Sequence, residues 1–290
     1  MTTSINDGVT PLYMTQGIGD VELPYLLYDG HEPTLILLHA TGFLPWLWHP
    51  IARDLSPSYR IIAPYICDYR SADPEKGGLT WDTVAQDVAA FCNRKNIENP
   101  ILVGHSMGAT VSTLAHVLHG IKAKGMILIE PIFLHEDFYR VRISAREHPL
   151  AAKALKRKNH WKSPSEAMGY LRSKTLFAHW TEEMRELYIT HGMRERRGGG
   201  LELVCSPHTE AALFLGGVHY NIWPLLPKVS CPVLVIEGET TDSKNYVDLE
   251  RAVYSIPGAS HIIVAEAGHL IPMEQPAAIT SLIRDFIQNT

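Results

Sequence analysis

Short apolar runs recur along this chain, and they alternate with segments in which apolar side chains return at helical spacing. Short runs rich in branched residues indicate buried strands, whereas helical spacing indicates amphipathic helices. The strands predicted in this way are residues 35–38, 61–63, 101–103, 126–129, 233–236 and 262–264, preceded by residues 21–28, which could run antiparallel. The helices predicted between and after them are residues 81–96, 107–119, 246–255 and 277–288.

The order of these segments predicts the fold class. Strands that are apolar along their whole length are buried on both faces, which favours a parallel sheet covered by helices. Strands that alternate with helices are typical of strand–helix–strand units. We therefore expect an α/β protein with a mostly parallel sheet flanked by helices.

The pattern changes between residues 131 and 227, where helical spacing dominates and residues 201–204 are the one strand-like run. Ser163-Pro164-Ser165-Glu166 predicts a helix start, because it combines an N-cap serine, a proline at the first position and a glutamate at the third. This segment holds 14 Lys and Arg against 10 Asp and Glu, whereas the whole chain holds 26 against 31. We therefore expect a core of residues 1–130 and 228–290 and an inserted, mainly helical cap of residues 131–227. The basic run of the cap is expected to form a solvated helix face; it comprises Lys153, Lys156, Arg157, Lys158 and Lys162.

One glycine-bounded serine lies directly between a predicted strand and a predicted helix. Gly104-His105-Ser106-Met107-Gly108 has the G-x-S-x-G pattern, in which a sharp turn lifts the serine hydroxyl above the end of the sheet. Glycines suit such a turn because side chains at their positions would collide with neighbouring backbone. Ser106 is therefore the predicted nucleophile, and the amide of Met107, the residue after it, is a predicted oxyanion donor.

A serine hydroxyl needs a neighbouring base to take its proton. The chain has 15 histidines, and His269 is distinguished by its position after the last predicted strand and before the last helix. That position brings it to the sheet edge where Ser106 is expected, so His269 is the predicted general base. The loop Leu38-His39-Ala40-Thr41-Gly42-Phe43 follows an early strand, and the amide of Thr41 is the second predicted oxyanion donor.

Together these motifs resemble the α/β-hydrolase superfamily over nearly the full length of the chain. Residues 39–43 stand where relatives commonly have a His-Gly loop, and Ala40 replaces the commoner glycine. Residues 104–108 resemble the nucleophile elbow, residues 268–269 the histidine loop, and residues 131–227 the family's cap. The resemblance implies an α/β-hydrolase fold and hydrolysis of an ester or related acyl bond through an acyl-enzyme, with no cofactor and no metal.

The acid that would orient His269 has two candidates. Many relatives place an aspartate three residues beyond a glycine that follows the seventh strand, and counting from Gly238 that position is Thr241, with Asp242 one residue later. Glu130 ends the apolar run 126–129, and it resembles the glutamate that a subset of the superfamily, including some haloalkane dehalogenases, uses after the sixth strand. A carboxylate at the end of a buried strand needs a donating partner, which His269 would supply. Glu130 is therefore the favoured acid and Asp242 the alternative.

The aromatic content of the predicted cap indicates an apolar pocket for a small to medium acyl or alcohol group. The residues expected to line it lie near the cap junctions and after the first loop, and they are Phe43, Trp46, Phe133, Tyr220 and Trp223. Carbon–carbon bond hydrolases, lactonases, thioesterases and cofactor-free haloperoxidases of the same fold remain alternatives to an ester hydrolase. A non-catalytic, receptor-like protein is an alternative from another class.

Charge, hydropathy and cysteine spacing narrow the expected partners and location. A formal charge of −5 gives no reason to expect nucleic-acid binding, and no apolar run is long enough to span a membrane. The first 20 residues show no basic patch followed by an apolar run, so no secretory leader is expected. The four cysteines are far apart and lack C-x-x-C spacing, which predicts no structural disulfide, no zinc site and a cytoplasmic protein.

Overall fold

The computed structural model describes residues 8–290. Residues 1–7, which belong to the predicted core and to the segment considered for a leader, lie outside the described residues. Its strands, in chain order, are β1 Leu12–Gly17, β2 Glu22–Tyr28, β3 Leu35–Leu38, β4 Ile61–Pro64, β5 Ile101–His105, β6 Gly125–Ile129, β7 Met193–Glu195, β8 Leu201–Leu203, β9 Val233–Gly238 and β10 Ser260–Val264. Eight of them form one sheet in the order β1-β2-β4-β3-β5-β6-β9-β10, while β7 and β8 form a separate hairpin. The seven strands predicted for the core are all present.

The helices, in chain order, are α1 His49–Leu55, α2 Trp81–Arg94, α3 Met107–Leu118, α4 Pro149–Leu155, α5 Pro164–Arg172, α6 Glu182–Gly192, α7 Pro207–Gly216, α8 Leu249–Ser255, α9 Ile271–Glu274 and α10 Pro276–Gln288. The predicted start of α5 is confirmed, because the side chain of Ser163 accepts a hydrogen bond from the amide of Glu166. No helix among residues 8–290 is both long and apolar enough to cross a membrane.

The register of the sheet brings the ends of its central strands to one edge. Strands β3, β4, β5, β6, β9 and β10 pair in parallel, and β1 and β2 pair antiparallel at one side. Gly104 of β5 lies opposite Leu38 of β3, and His105 lies opposite Ile129 of β6. Because the strands are parallel, the loops that leave their carboxyl ends meet above that edge.

Helices cover both faces of the sheet, which confirms the predicted α/β-hydrolase architecture. On one face Leu102 and Leu128 pack in a cluster with Phe91 of α2, and on the other Val103 and Ile127 pack with residues of α1 and α10. The two outer strands depart from the expected burial. Strand β10 exposes 57% of Ile263, and β1, which the hydropathy pattern did not indicate, is exposed along most of its length.

Residues 131–227 contribute α4 to α7 and the β7–β8 hairpin. Their apolar side chains form a cluster that continues into the loops of the sheet edge, since it contains Trp180 and Tyr188 together with Phe43 and Leu270. The predicted cap therefore rests on the loops that carry Thr41 and His269, while its boundaries stay a prediction. The expectation that the basic run forms a solvated helix face is wrong, because α4 ends at Leu155 and Arg157, beyond it, turns inward and pairs with Glu210.

The expectation of no disulfide is also wrong. Cys67, which follows β4, is bonded to Cys205, which precedes α7, and both are buried. The pairing was hidden because 138 residues separate the two cysteines, and only the packing of the predicted cap on the sheet edge brings them together. Cys92 and Cys231 are free and buried. The bond removes one reason for expecting a cytoplasmic protein, and that location stays a prediction.

Candidate active site

The turn after β5 holds Ser106 in a conformation that few residues other than glycine adopt. Its φ is 55° and its ψ is −116°, and its amide donates to the carbonyl of Ile129 at 2.9 Å. A Cβ at Gly104 would collide with the amide nitrogen of Ala109, and one at Gly108 would collide with the carbonyl of Leu38. The two glycines thus allow β3, β5 and α3 to approach closely enough to form the turn, which places the Ser106 hydroxyl at the sheet edge.

His269 lies between β10 and α9 and bridges two polar groups. Its Nε2 is 3.0 Å from Ser106 Oγ, and its Nδ1 is 2.9 Å from Glu130 Oε2. The structure therefore brings Ser106, His269 and Glu130 into one hydrogen-bonded chain. When Nδ1 donates to the carboxylate, Nε2 is left free to accept a proton from the serine hydroxyl.

Two further histidines support the loops of this edge in neutral form. Burial, and then the neighbouring His269, lower the pKa of His105 to about 3, so its Nε2 donates to the backbone carbonyl of His269 at 2.8 Å. Burial lowers the pKa of His39 to about 4. Its Nε2 accepts from the amide of Ile66 at 3.0 Å, so Nδ1 carries the proton and donates to the carbonyl of Ala40 at 2.9 Å. These bonds hold the histidine loop and the loop of Thr41 in place.

Glu130 is completely buried, directly after β6, with a φ of 50°. Its Oε1 accepts from the amide of Gly238 at 2.7 Å, and its Oε2 accepts from the hydroxyls of Thr241 and Ser243, each at 2.8 Å, as well as from His269. Burial alone would raise the pKa of Glu130, but the hydrogen bonds from His269, Gly238 and Ser243 and the charge of His269 outweigh it and lower that pKa. The carboxyl is therefore held in its ionised form.

Asp242, the alternative acid, is not brought to His269. Its side chain is exposed, and its carbonyl accepts from the side-chain amide of Asn245 at 2.9 Å. Sequence reasoning missed the supporting roles of Thr241 and Ser243. A signal for Thr241 was nevertheless present, since it occupies the position at which many relatives carry the aspartate. Here that position carries a hydroxyl that donates to Glu130.

The two predicted oxyanion donors lie at the same sheet edge, one after β5 and one after β3. Met107 is the first residue of α3, and Thr41 lies in the turn in which the amide of Phe43 donates to the carbonyl of Ala40 at 3.2 Å. Within residues 8–290 neither the Thr41 nor the Met107 amide donates to another group. Both are thus available to a bound oxygen, and the dipole of α3 favours negative charge beside Met107.

The predicted pocket residues occupy different places. Phe43, the last residue of the Thr41 turn, contacts the rings of Trp180 and Tyr188 of the predicted cap. Trp46 stacks on the ring of His191 with centroids 3.6 Å apart. The remaining three lie as follows: Phe133 is fully buried, Tyr220 is 37% exposed, and Trp223 donates to the carbonyl of Leu134 at 2.7 Å and faces the guanidinium of Arg251.

Comparison with known proteins agrees with the fold. The sequence profile of the alpha/beta hydrolase family matches residues 35–282. The chain is 22% identical over 274 residues to the uncharacterized carboxylesterase nap of Bacillus subtilis (strain 168), a match that covers 90% of this chain and 82% of that protein. The crystal structure of E-2-(acetamidomethylene)succinate hydrolase resembles this chain with a TM-score of 0.81 and 19% identity, over 96% of this chain and 100% of that one. The thioesterase domain from the curacin biosynthetic pathway has a TM-score of 0.75 and 17% identity, over 95% of this chain and 99% of that one.

Proposed function

We propose that this chain, which belongs to the alpha/beta hydrolase family, is a serine hydrolase that cleaves a carboxylic ester or related acyl bond through an acyl-enzyme. The observation that carries the proposal is the continuous chain of hydrogen bonds from Ser106 Oγ through His269 to Glu130. Serine, imidazole and carboxylate in this order form the constellation that activates a hydroxyl for attack on a carbonyl carbon.

In the proposed acylation step, Ser106 Oγ attacks the carbonyl carbon while its proton passes to Nε2 of His269. Glu130 accepts a hydrogen bond from Nδ1 and stabilises the imidazolium that results. The carbonyl oxygen, now negatively charged, is bound by the amides of Thr41 and Met107. When the tetrahedral intermediate collapses, the leaving oxygen takes the proton from Nε2, and the acyl group stays on Ser106.

In the proposed deacylation step, water replaces the leaving group. His269 Nε2 takes a proton from this water, which attacks the acyl carbonyl carbon and again places negative charge on the oxygen between Thr41 and Met107. Collapse of the second intermediate breaks the bond to Ser106 Oγ, which regains its proton from the imidazolium. The products are an acid and the original enzyme, and the reaction needs water as its co-substrate.

We further propose that the acyl or alcohol part is small to medium and apolar. Phe43 ends the Thr41 turn, and its ring contacts those of Trp180 and Tyr188, so the side chains beside the proposed oxyanion donor are aromatic. The names of the similar proteins, a carboxylesterase, a hydrolase and a thioesterase domain, support acyl transfer as the class of reaction. Lactonase, thioesterase and carbon–carbon bond hydrolase activities would use the same groups, and a receptor-like protein would not turn over.

The test combines a substrate panel with a serine-directed probe. Nitrophenyl esters of graded chain length, a thioester and a lactone are assayed with the wild type, Ser106→Ala and Ser112→Ala, and each protein is treated with a fluorophosphonate. We expect Ser106→Ala to lose labelling and to lower the rate by roughly 10⁴–10⁶. Ser112 is the matched control, because it lies on the same helix and its hydroxyl donates to the carbonyl of Gly108 at 2.8 Å. Normal turnover by well-folded Ser106→Ala would refute the proposal.

A further inference from the structure

The predicted cap places a partly buried ion pair against the loop that carries Thr41. Glu210 of α7 is 8% exposed, and its Oε2 accepts from the guanidinium of Arg157 at 2.5 Å. The same guanidinium donates to the hydroxyl of Tyr188 at 2.9 Å. Tyr188 in turn contacts the ring of Phe43, with centroids 6.0 Å apart.

The second carboxylate oxygen of Glu210 faces the backbone of Gly42. A Cβ at Gly42 would collide with Oε1, and a φ of 79° is a second reason why this position requires glycine. Gly42 directly follows Thr41, so a carboxylate lies one residue away from a proposed oxyanion donor. Negative charge at this place would oppose the charge that develops on the substrate oxygen.

We propose that Arg157 serves the hydrolytic reaction by neutralising Glu210, so that the oxyanion loop is free of net negative charge when the tetrahedral intermediate forms. This inference rests on the proposed function, because it requires an oxyanion beside Thr41. Arg157 acts through Glu210 and is therefore a positioning residue for charge, not a catalytic residue. This role would also account for a charged pair at a position where two apolar side chains would cost less desolvation.

Arg157 supplies the positive charge that compensates Glu210. Helix α4 packs against α7 through small apolar side chains, including Ala151 and Ala154. On the other side of α7, the charge of Asp73 is directed toward His208, at 3.7 Å. Tyr188 is neutral, because burial raises the pKa of its hydroxyl. Burial also raises the pKa of Glu210 against the opposing charge of Arg157, so loss of Arg157 would raise that pKa further.

The test measures kcat/KM as a function of pH for wild type, Arg157→Met and Arg157→Met/Glu210→Gln. The wild type provides the reference pH profile. In Arg157→Met, Glu210 ionises without a partner as the pH rises, and activity should then fall by roughly 10- to 100-fold, the scale of an uncompensated charge several ångströms away. The double variant removes that charge and should recover both the wild-type pH profile and most of the rate.

Arg185→Met is the matched control, because Arg185 forms another ion pair of the predicted cap, with Glu182, at 3.0 Å. It should keep the wild-type pH profile. If Arg157→Met folds poorly, Glu210→Gln alone decides the question, since it should keep the wild-type profile and at least the wild-type rate. The proposal is overturned if Arg157→Met loses rate with an unchanged profile, if the double variant does not recover, or if Glu210→Gln is more than about tenfold slower. Turnover by Ser106→Ala, in contrast, would refute the proposed function itself, so the two failures are distinguishable.

Discussion

Two buried glutamates lie near the proposed active site, Glu130 at His269 and Glu210 at Gly42, and their surroundings give them opposite properties. Glu130 at the sheet edge is completely buried, yet its pKa is lowered, whereas Glu210 in the predicted cap is 8% exposed and its pKa is raised. The difference lies in the number of donors. Glu130 accepts from an amide, two hydroxyls and an imidazole, and Glu210 accepts from one guanidinium. Burial alone therefore does not decide whether a carboxyl is charged, because fixed donors can outweigh it.

The two sets of donors also differ in how firmly they are held. Three of the four donors to Glu130 come from the end of β9 and the turn that follows it, so the sheet fixes them before any substrate binds. Glu210 and Arg157 lie on different segments of residues 131–227, and their pairing depends on how those segments pack. The sheet edge thus holds the Glu130 carboxylate in place before substrate binds. In the predicted cap, a single substitution of Arg157 would leave the charge of Glu210 without its partner.

Among the substitutions that test this comparison of the two glutamates, the largest effect is expected when the carboxylate of Glu130 is removed. Glu130→Gln keeps the shape but no longer stabilises the imidazolium of His269, and it should lower kcat/KM by about 10²–10⁴. Asp242→Asn should change kcat/KM little, because that side chain is exposed. Ester hydrolysis by both variants, with circular dichroism to establish folding, makes the comparison. A large loss in Asp242→Asn with little loss in Glu130→Gln would assign the acid to Asp242.

The next largest effect is expected on the free energy of unfolding when the disulfide between the core and the predicted cap is removed. The bond from Cys67 to Cys205 closes a loop of 138 residues, and its loss should lower the free energy of unfolding by about 2–4 kcal/mol. Urea unfolding of the wild type with and without reductant measures this difference. Cys67→Ser/Cys205→Ser is the control, because reductant should not affect it while Cys92 and Cys231 remain free thiols. Equal sensitivity of both proteins to reductant would contradict the assignment of the bond.

A smaller effect is expected at Thr241, which occupies the position of the aspartate in many relatives. Thr241→Val keeps the volume but removes one charge-assisted hydrogen bond to Glu130, which should lower kcat/KM by roughly tenfold. Thr240→Val is a matched control, because the neighbouring hydroxyl donates to the carbonyl of Ala267 at 2.9 Å and not to Glu130. Equal losses in the two variants would show that Thr241 acts through the backbone of the turn and not through Glu130.

The sheet edge was largely predictable from sequence. Ser106, Glu130 and His269 each follow a short apolar run, and the carboxyl ends of parallel strands meet at one edge, so their proximity follows from local pattern. Thr241 was found by counting from Gly238, but its role as a donor was not, because that role depends on which carboxylate the fold brings to it.

The contacts of the predicted cap could not be read in the same way. The Cys67–Cys205 bond and the Arg157–Glu210 pair join residues far apart in sequence, and no local spacing marks either. Arg157 lies within a basic run, and the pattern alone gives no reason for one of its five members to turn inward. Strand β1 was missed because its exposed apolar side chains show no alternation.

The smallest expected effect tests the opposite pKa shifts of the two glutamates directly. For Glu130 the folded pKa lies below the ordinary value of 4.5, so its contribution to stability is present above that value and is lost as the pH falls through the folded pKa. For Glu210 the folded pKa is raised, so its contribution is present below 4.5 and is lost as the pH rises through the folded pKa.

The free energies of unfolding of Glu130→Gln and Glu210→Gln, measured in urea between about pH 3 and pH 7, should therefore depart from that of the wild type with opposite dependence on pH. The difference between wild type and Glu130→Gln should grow with pH in the lower part of this range, and that between wild type and Glu210→Gln should shrink with pH in the upper part. Slopes of the same sign would mean that the two carboxyls are held in the same state, and that Arg157 compensates Glu210 as fully as the four donors compensate Glu130.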